Sequence, residues 1–275
     1  PHASSSAASD VYKRQGEAIM KREQIKALIL TGDGINCETE TALAFTELGA
    51  QAEIIHISDL IEKKDKLKEA QILALPGGFS FGDEIGSGQI LALKLKYALG
   101  EELKTFVEEK KLVIGICNGF QALVRLGLLP KPFSQRTMTL THNRQGHFIN
   151  RWVDLDVPVS ECVWTSELRG EKISLPIRHG EGRIVFKGDE EEQRATYKTL
   201  SSNGQIALNY RNDVNGSFAE IAGVCDPSGL IFGLMPHPEA AISLWHNPGG
   251  ADKGEDKGLG LFIFESGLKY CEANL

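Results

Sequence analysis

The sequence predicts an α/β fold, a mostly parallel sheet with helices on both faces and an antiparallel extension. Three observations carry this. From Lys26 to Leu126 strand-type and helix-type patterns alternate, which implies parallel strands joined by covering helices. Three apolar runs end in residues suited to chemistry, at Pro76-Gly77-Gly78, Cys117 and His237, and strand ends in such sheets converge on one ligand-binding edge. Beyond Phe148 the pattern turns strand-rich, with an Asp226-Pro-Ser-Gly229 turn that signals a hairpin.

In order, Lys26–Leu30 reads as a strand, Glu38–Leu48 as a helix and Ala52–Ile57 as a strand. Leu73 lies in the next strand, Gln89–Leu99 and Glu101–Lys110 are helices, Leu112–Ile116 is a strand and Phe120–Leu126 a helix. The second half offers strands at Phe148–Val157, Ile184–Phe186, Gln205–Asn209, Ala219–Val224 and Leu230–Met235, and a closing helix at Leu259–Tyr270. No internal repeat is visible. Residues 1–19 are polar, serine-rich and aperiodic, and lack the apolar core of a signal peptide. They are expected to be disordered or non-native, with Met20 as a native start and residues 20–275 as one domain.

Cys117 is the most informative residue. It follows an apolar strand, has Gly115 and Gly119 two residues to either side, and precedes an amphipathic helix. This is the nucleophile-elbow pattern with sulfur in place of a serine oxygen. Small neighbours relieve the crowded turn. The helix aims its free N–H groups at the sulfur, an arrangement that favours the reactive thiolate. A buried cysteine filling space as a small hydrophobe is the plainer alternative.

A nucleophile needs a base and a group to orient it. Met235-Pro-His237-Pro-Glu239 places a histidine between two prolines, on a stiff segment where residues two apart share a side. A rival His-x-Glu stands at His179-Gly-Glu181, in a looser glycine-rich setting, and spacing alone does not choose between them. The N–H groups of Gly78 and of Asn118, after the nucleophile, are candidates for an oxyanion hole. Alone, Pro-Gly-Gly is an ordinary turn. Gln121, one helical turn beyond Cys117, faces the same side. Gly32-Asp-Gly34 lacks the third glycine of a dinucleotide loop.

A net charge of −7 without a basic cluster argues against a nucleic-acid partner. Five cysteines, an odd count without Cys-x-x-Cys, argue against a disulfide framework or a zinc site. No apolar run approaches the ~18 residues of a membrane span. A cytoplasmic location is expected.

Gly115-Ile-Cys117-Asn-Gly-Phe-Gln121, Pro76-Gly-Gly-Phe-Ser80 and Met235-Pro-His237-Pro-Glu239 together resemble the triad-type (class I) glutamine amidotransferase family. Within it the wording is similar to the glutaminase subunits of phosphoribosylformylglycinamidine synthase, of purine biosynthesis. Gly34-Ile-Asn-Cys37, His147–Val153, Pro176–Gly182, Asn215-Gly-Ser217, Ile221-Ala-Gly223 and Leu261–Ser266 extend the match from about Ile25 to about Tyr270. The resemblance implies a flavodoxin-like sheet. It also implies a triad of Cys117, His237 and Glu239, an oxyanion hole from Gly78 and Asn118, and substrate contacts by Gln121, Asn143 and Phe148. It implies glutamine as substrate, no cofactor or metal in this chain, a synthetase partner that uses ATP and Mg, and a small bridging subunit. The chain departs from the family pattern at Ala240, where an arginine is usual, and in longer stretches at Lys131–Leu140 and Asn247–Gly258. A glutaminase serving another synthetase, and a non-catalytic sensor or assembly subunit on the same fold, remain as alternatives.

Overall fold

The computed structural model describes residues 20–246, 248 and 257–275, so the expectations for residues 1–19 and most of the Asn247–Gly258 stretch lie outside the described residues. The chain order is β1 (Lys26–Thr31), α1 (Glu38–Glu47), β2 (Gln51–His56), α2 (Ile57–Glu62), α3 (Asp65–Glu69), β3 (Ile72–Leu75), α4 (Gln89–Glu108), β4 (Leu112–Ile116) and α5 (Asn118–Leu126). Then come β5 (Met138–Thr141), β6 (Ile149–Asp156), β7 (Lys172–His179), β8 (Arg183–Phe186), α6 (Glu190–Ser202), β9 (Ile206–Tyr210), β10 (Ile221–Cys225), β11 (Ile231–Leu234) and α7 (Leu261–Asn274).

Nine strands form one sheet in the order β2-β1-β3-β4-β11-β10-β9-β6-β7, and β5 pairs with β8 in a separate ribbon. The first five are parallel, in the flavodoxin-like arrangement, and the last four continue antiparallel. β3 and β4 are buried along their whole length, as central strands covered on both faces must be. This explains why Ile-Leu-Ala-Leu and Leu-Val-Ile-Gly-Ile read as unbroken apolar runs. Phe45 of α1 meets Phe264 of α7 edge-on with centroids 5.1 Å apart, closing one side of the sheet.

Several elements differ from the sequence expectation. The two helices expected around Gly100 are one helix with non-helical φ/ψ at Leu99 only; a single glycine costs a helix about 1 kcal/mol and does not have to end it. β7 carries Pro176, which weakens a strand signal, but it is the sheet's edge strand, where proline is tolerated. The strand expected from Ala219 starts at Ile221, because Ala219 and Glu220 take positive φ. α2, α3, β5 and α6 are short or polar and carry no clear signal in the sequence.

α6 starts with a capping box: Asp189 accepts from Glu191 and Glu192 N–H, and the Glu192 carboxylate accepts from Asp189 N–H at 2.9 Å. Asp189→Ala is expected to lower unfolding free energy by about 0.5–2 kcal/mol, read from the urea midpoint at constant m.

Candidate active site

β3, β4 and β11 lie side by side and parallel, so their carboxyl ends deliver Gly77-Gly78, Cys117 and His237 to one edge of the sheet. Cys117 joins β4 to α5 with φ 51° and ψ −104°, a left-handed backbone unusual for a residue with a side chain. The glycine bracket makes this turn possible. A Cβ on Gly115 would stand 2.5 Å from Leu123 Cδ1 and 2.7 Å from the Gly119 carbonyl oxygen, and one on Gly119 would run into the Leu75 carbonyl. The thiol is buried and points toward the Arg178 carbonyl oxygen of β7 at 3.6 Å.

His237 is held from both sides. Its N–H donates to the Pro176 carbonyl at 2.8 Å, and its Nδ1 lies 2.5 Å from Glu239 Oε1. Both side chains are almost fully buried. Burial alone disfavours a charged ring, but the Glu239 carboxylate and the adjacent Cys117 thiol outweigh it and raise the His237 pKa well above its ordinary value. Among the described residues Nε2 of His237 is buried without a hydrogen-bond partner, the free nitrogen a proton-transferring imidazole needs.

The Gly-Gly turn packs against this ring. A Cβ on Gly77 would lie 2.7 Å from His237 Cε1. Gly78 has φ 145°, and a Cβ there would come within 2.7 Å of the Gly34 carbonyl oxygen. Its bridge to Ile35 is made by Phe79 N–H and Asn36 N–H, which leaves the Gly78 N–H outside it. Asn118 is the first residue of α5, so its N–H is one of the helix's unpaired donors. The Asn118 side chain is clamped: Nδ2 donates to Asp83 Oδ1 at 2.8 Å and to Gln121 Oε1, and Oδ1 accepts from Ser80 N–H. Burial raises the Asp83 pKa.

Gln121, Asn143 and Phe148 complete the expected set. Gln121 has both ends of its carboxamide engaged, by Asn118 and by the Glu181 carbonyl, so it ties α5 to the loop after β7. Asn143 is buried and bonds His147 and His179 carbonyls through Nδ2, and the His179 ring and Gly182 N–H through Oδ1. Phe148 is half-exposed and faces Phe79 at 6.2 Å between ring centroids, forming an apolar rim.

The two His-x-Glu pairs are different structures. Glu181 turns away from His179 to lie 3.5 Å from His142 Nδ1. His179 is buried against Asn143; burial, then the nearby His237, push its pKa down to about 3. The native state therefore resists protonation while the unfolded chain accepts it from about 6.5, so stability falls as pH drops from about 6.5 toward 3. His179→Asn keeps an amide near the Nδ1 position and is expected to flatten that slope, measured by urea unfolding at several pH values.

Cys37, of the Gly34-Ile-Asn-Cys37 segment, also stands at the site. It reaches the edge because its N–H bonds the Gly77 carbonyl at 3.3 Å, and its Sγ, a nitrogen of His237 and a Glu239 oxygen lie within 4.8 Å of one another. That segment is the loop at the end of β1, the strand beside β3. Ala240, the departure from the family pattern, lines a cleft together with Arg151 of β6, Arg178 of β7 and Glu239.

A thiol on a strained elbow beside a carboxylate-bound imidazole, on a flavodoxin-like sheet, is the arrangement cysteine-dependent acyl transfer would need. In agreement, residues 24–271 match the family described as CobB/CobQ-like glutamine amidotransferase domain. The chain is 40% identical over 253 residues to phosphoribosylformylglycinamidine synthase subunit PurQ of Dehalococcoides mccartyi, covering 90% of this chain and 98% of that protein. It is 36% identical to the PurQ of Archaeoglobus fulgidus, covering 92% and 99%. A chain of the PurLQS structure from Thermotoga maritima superposes with a TM-score of 0.70 at 35% identity, covering 90% of this chain and 99% of that one. The chain belongs to the PurQ family of glutamine amidotransferases. Among the described residues, no helix is long and apolar enough to cross a membrane.

Proposed function

We propose that this chain is the glutaminase subunit of a phosphoribosylformylglycinamidine synthase. It hydrolyses glutamine to glutamate and ammonia, and passes the ammonia to a synthetase subunit that makes formylglycinamidine ribonucleotide in purine biosynthesis. The Cys117 sulfur attacks the side-chain amide carbon of glutamine while His237 accepts the thiol proton. The oxyanion is held by the N–H groups of Gly78 and Asn118. Collapse of the tetrahedral adduct breaks the C–N bond, and His237 returns the proton to the departing ammonia. Water, deprotonated by His237, then hydrolyses the glutamyl thioester. Glu239 fixes the ring tautomer and stabilises the imidazolium. Phe148 and Asn143 border the amino-acid end of the substrate, and Gln121 supports that wall.

One observation carries this reading: Cys117 on its elbow and the His237–Glu239 pair stand on the ends of adjacent parallel strands. The ATP- and Mg-dependent step is assigned to the partner synthetase, with a small subunit bridging the two. The sequence has no recognisable phosphate-binding loop to support that step here. Glutamate release from labelled glutamine, by this chain alone and after reconstitution with its synthetase, tests the reading. Release that rises in the complex is expected. Inertness of both preparations toward glutamine would leave the sensor or assembly alternative.

A further inference from the structure

Cys37 has no part in the hydrolytic steps above, yet its sulfur shares the His237–Glu239 corner of the site. Its backbone serves the start of α1, where the Cys37 carbonyl accepts from Thr41 N–H and Thr41 Oγ1. Nothing in that role requires sulfur. Among the described residues the thiol donates one long hydrogen bond, to Asn36 Oδ1 at 3.4 Å, and the side chain is buried.

The polar atoms beside it are also incompletely used. Glu239 Oε2 and His237 Nε2 are both buried without hydrogen-bond partners among the described residues. Thiolate, imidazole and carboxylate together are a donor set for a borderline-soft divalent ion. The three ligand atoms lie within 4.8 Å of one another, against roughly 3.5 Å between ligands of a tetrahedral zinc with ordinary bond lengths, and side-chain rotation can adjust the difference.

We propose that Cys37, His237 and Glu239 form an inhibitory site for a thiophilic divalent cation, zinc(II) in the first instance. Binding displaces the Cys37 thiol proton to solvent and forms S–metal, N–metal and O–metal bonds. No electron is transferred. Cys117 neighbours the same imidazole. A metal there takes His237 out of proton transfer and blocks the thiol, so the ion competes with glutamine. Such a site is invisible in the sequence, because Cys37 and His237 are 200 positions apart and follow no zinc spacing.

The inhibition rests on the glutaminase reading; the binding does not, so binding is measured first. Cobalt(II) added to the purified chain, as a spectroscopic substitute for zinc, is expected to give intense d–d bands and a thiolate-to-cobalt charge-transfer band at one ion per chain. Cys37→Ser should weaken binding about tenfold or more and reduce the thiolate band. Glutaminase activity of the reconstituted wild-type complex should fall with zinc and return with chelator. In the Cys37→Ser complex inhibition should need about tenfold more zinc. In the wild-type chain, zinc should slow iodoacetamide labelling of both Cys37 and Cys117, read by peptide mass spectrometry against Cys162, Cys225 and Cys271. No thiolate band, an unchanged cobalt spectrum in a folded Cys37→Ser chain, or protection of Cys117 alone would overturn the site. Cobalt binding as expected without any glutamine hydrolysis would sustain the site and count against the enzymatic reading.

Discussion

Cys117→Ser is expected to leave the chain folded and bound to its synthetase while glutamine hydrolysis falls by at least about three orders of magnitude. Exchanging sulfur for oxygen hardly changes side-chain volume, so the packing around the elbow, where Gly115 and Gly119 already leave no spare room, is preserved. What changes is the nucleophile: a serine hydroxyl is far harder to ionise than a thiol, and a site built around a Cys–His pair does not supply the difference. The decisive arm is ammonium rescue. A reconstituted complex carrying the substitution should lose glutamine-dependent amidine formation and retain formation driven by a high concentration of ammonium salt at mildly alkaline pH. Near-normal glutamate release by the variant would remove Cys117 from the role of nucleophile. Failure of ammonium to rescue an intact complex would mean that this chain does more than supply ammonia.

The parallel half of the fold is legible in the sequence because its signals are local. A buried central strand such as β4 writes itself as an apolar run, and the sharp turn after it demands glycine on both sides of Cys117. The strand ends of β3, β4 and β11 can therefore be recognised one by one, and the parallel-sheet rule gathers them at one edge. Elements whose reasons lie elsewhere in the chain are not legible. β7 has a proline that reads against a strand, yet its edge position tolerates it and its Pro176 carbonyl anchors His237. Helical spacing puts Gln121 on the Cys117 side but does not show what its carboxamide binds. Its amide and that of Asn118 are committed to each other and to Asp83, Ser80 and the Glu181 carbonyl, partners from two distant loops. The same limit hides the place of Cys37 beside His237 until the β1 and β3 ends are brought together at Gly77.

His237→Ala is expected to slow glutamate release by about 10²–10⁴-fold, since in the proposed reaction the ring serves proton transfer in both halves. His179→Ala should affect chemistry far less. The contrast is geometric before it is electrostatic. His237 carries Glu239 on Nδ1, leaves Nε2 free among the described residues and neighbours the thiol, and the charge of Glu239 favours the imidazolium that forms as the thiol ionises. His179 hands its Nδ1 to Asn143, has no carboxylate partner among the described residues, and is held neutral by burial down to about pH 3. A ring that resists protonation through the physiological range is a poor proton carrier and a good wedge. Removing it should therefore register as lost stability, because Asn143 Oδ1 would lose a bond and a cavity would open beside Gly182. Turnover per folded molecule and the rate of Cys117 alkylation by iodoacetamide, measured in parallel for both variants, separate the cases. If His179→Ala loses both while His237→Ala stays close to wild type, the base is His179, and the carboxylate at His237 serves packing alone.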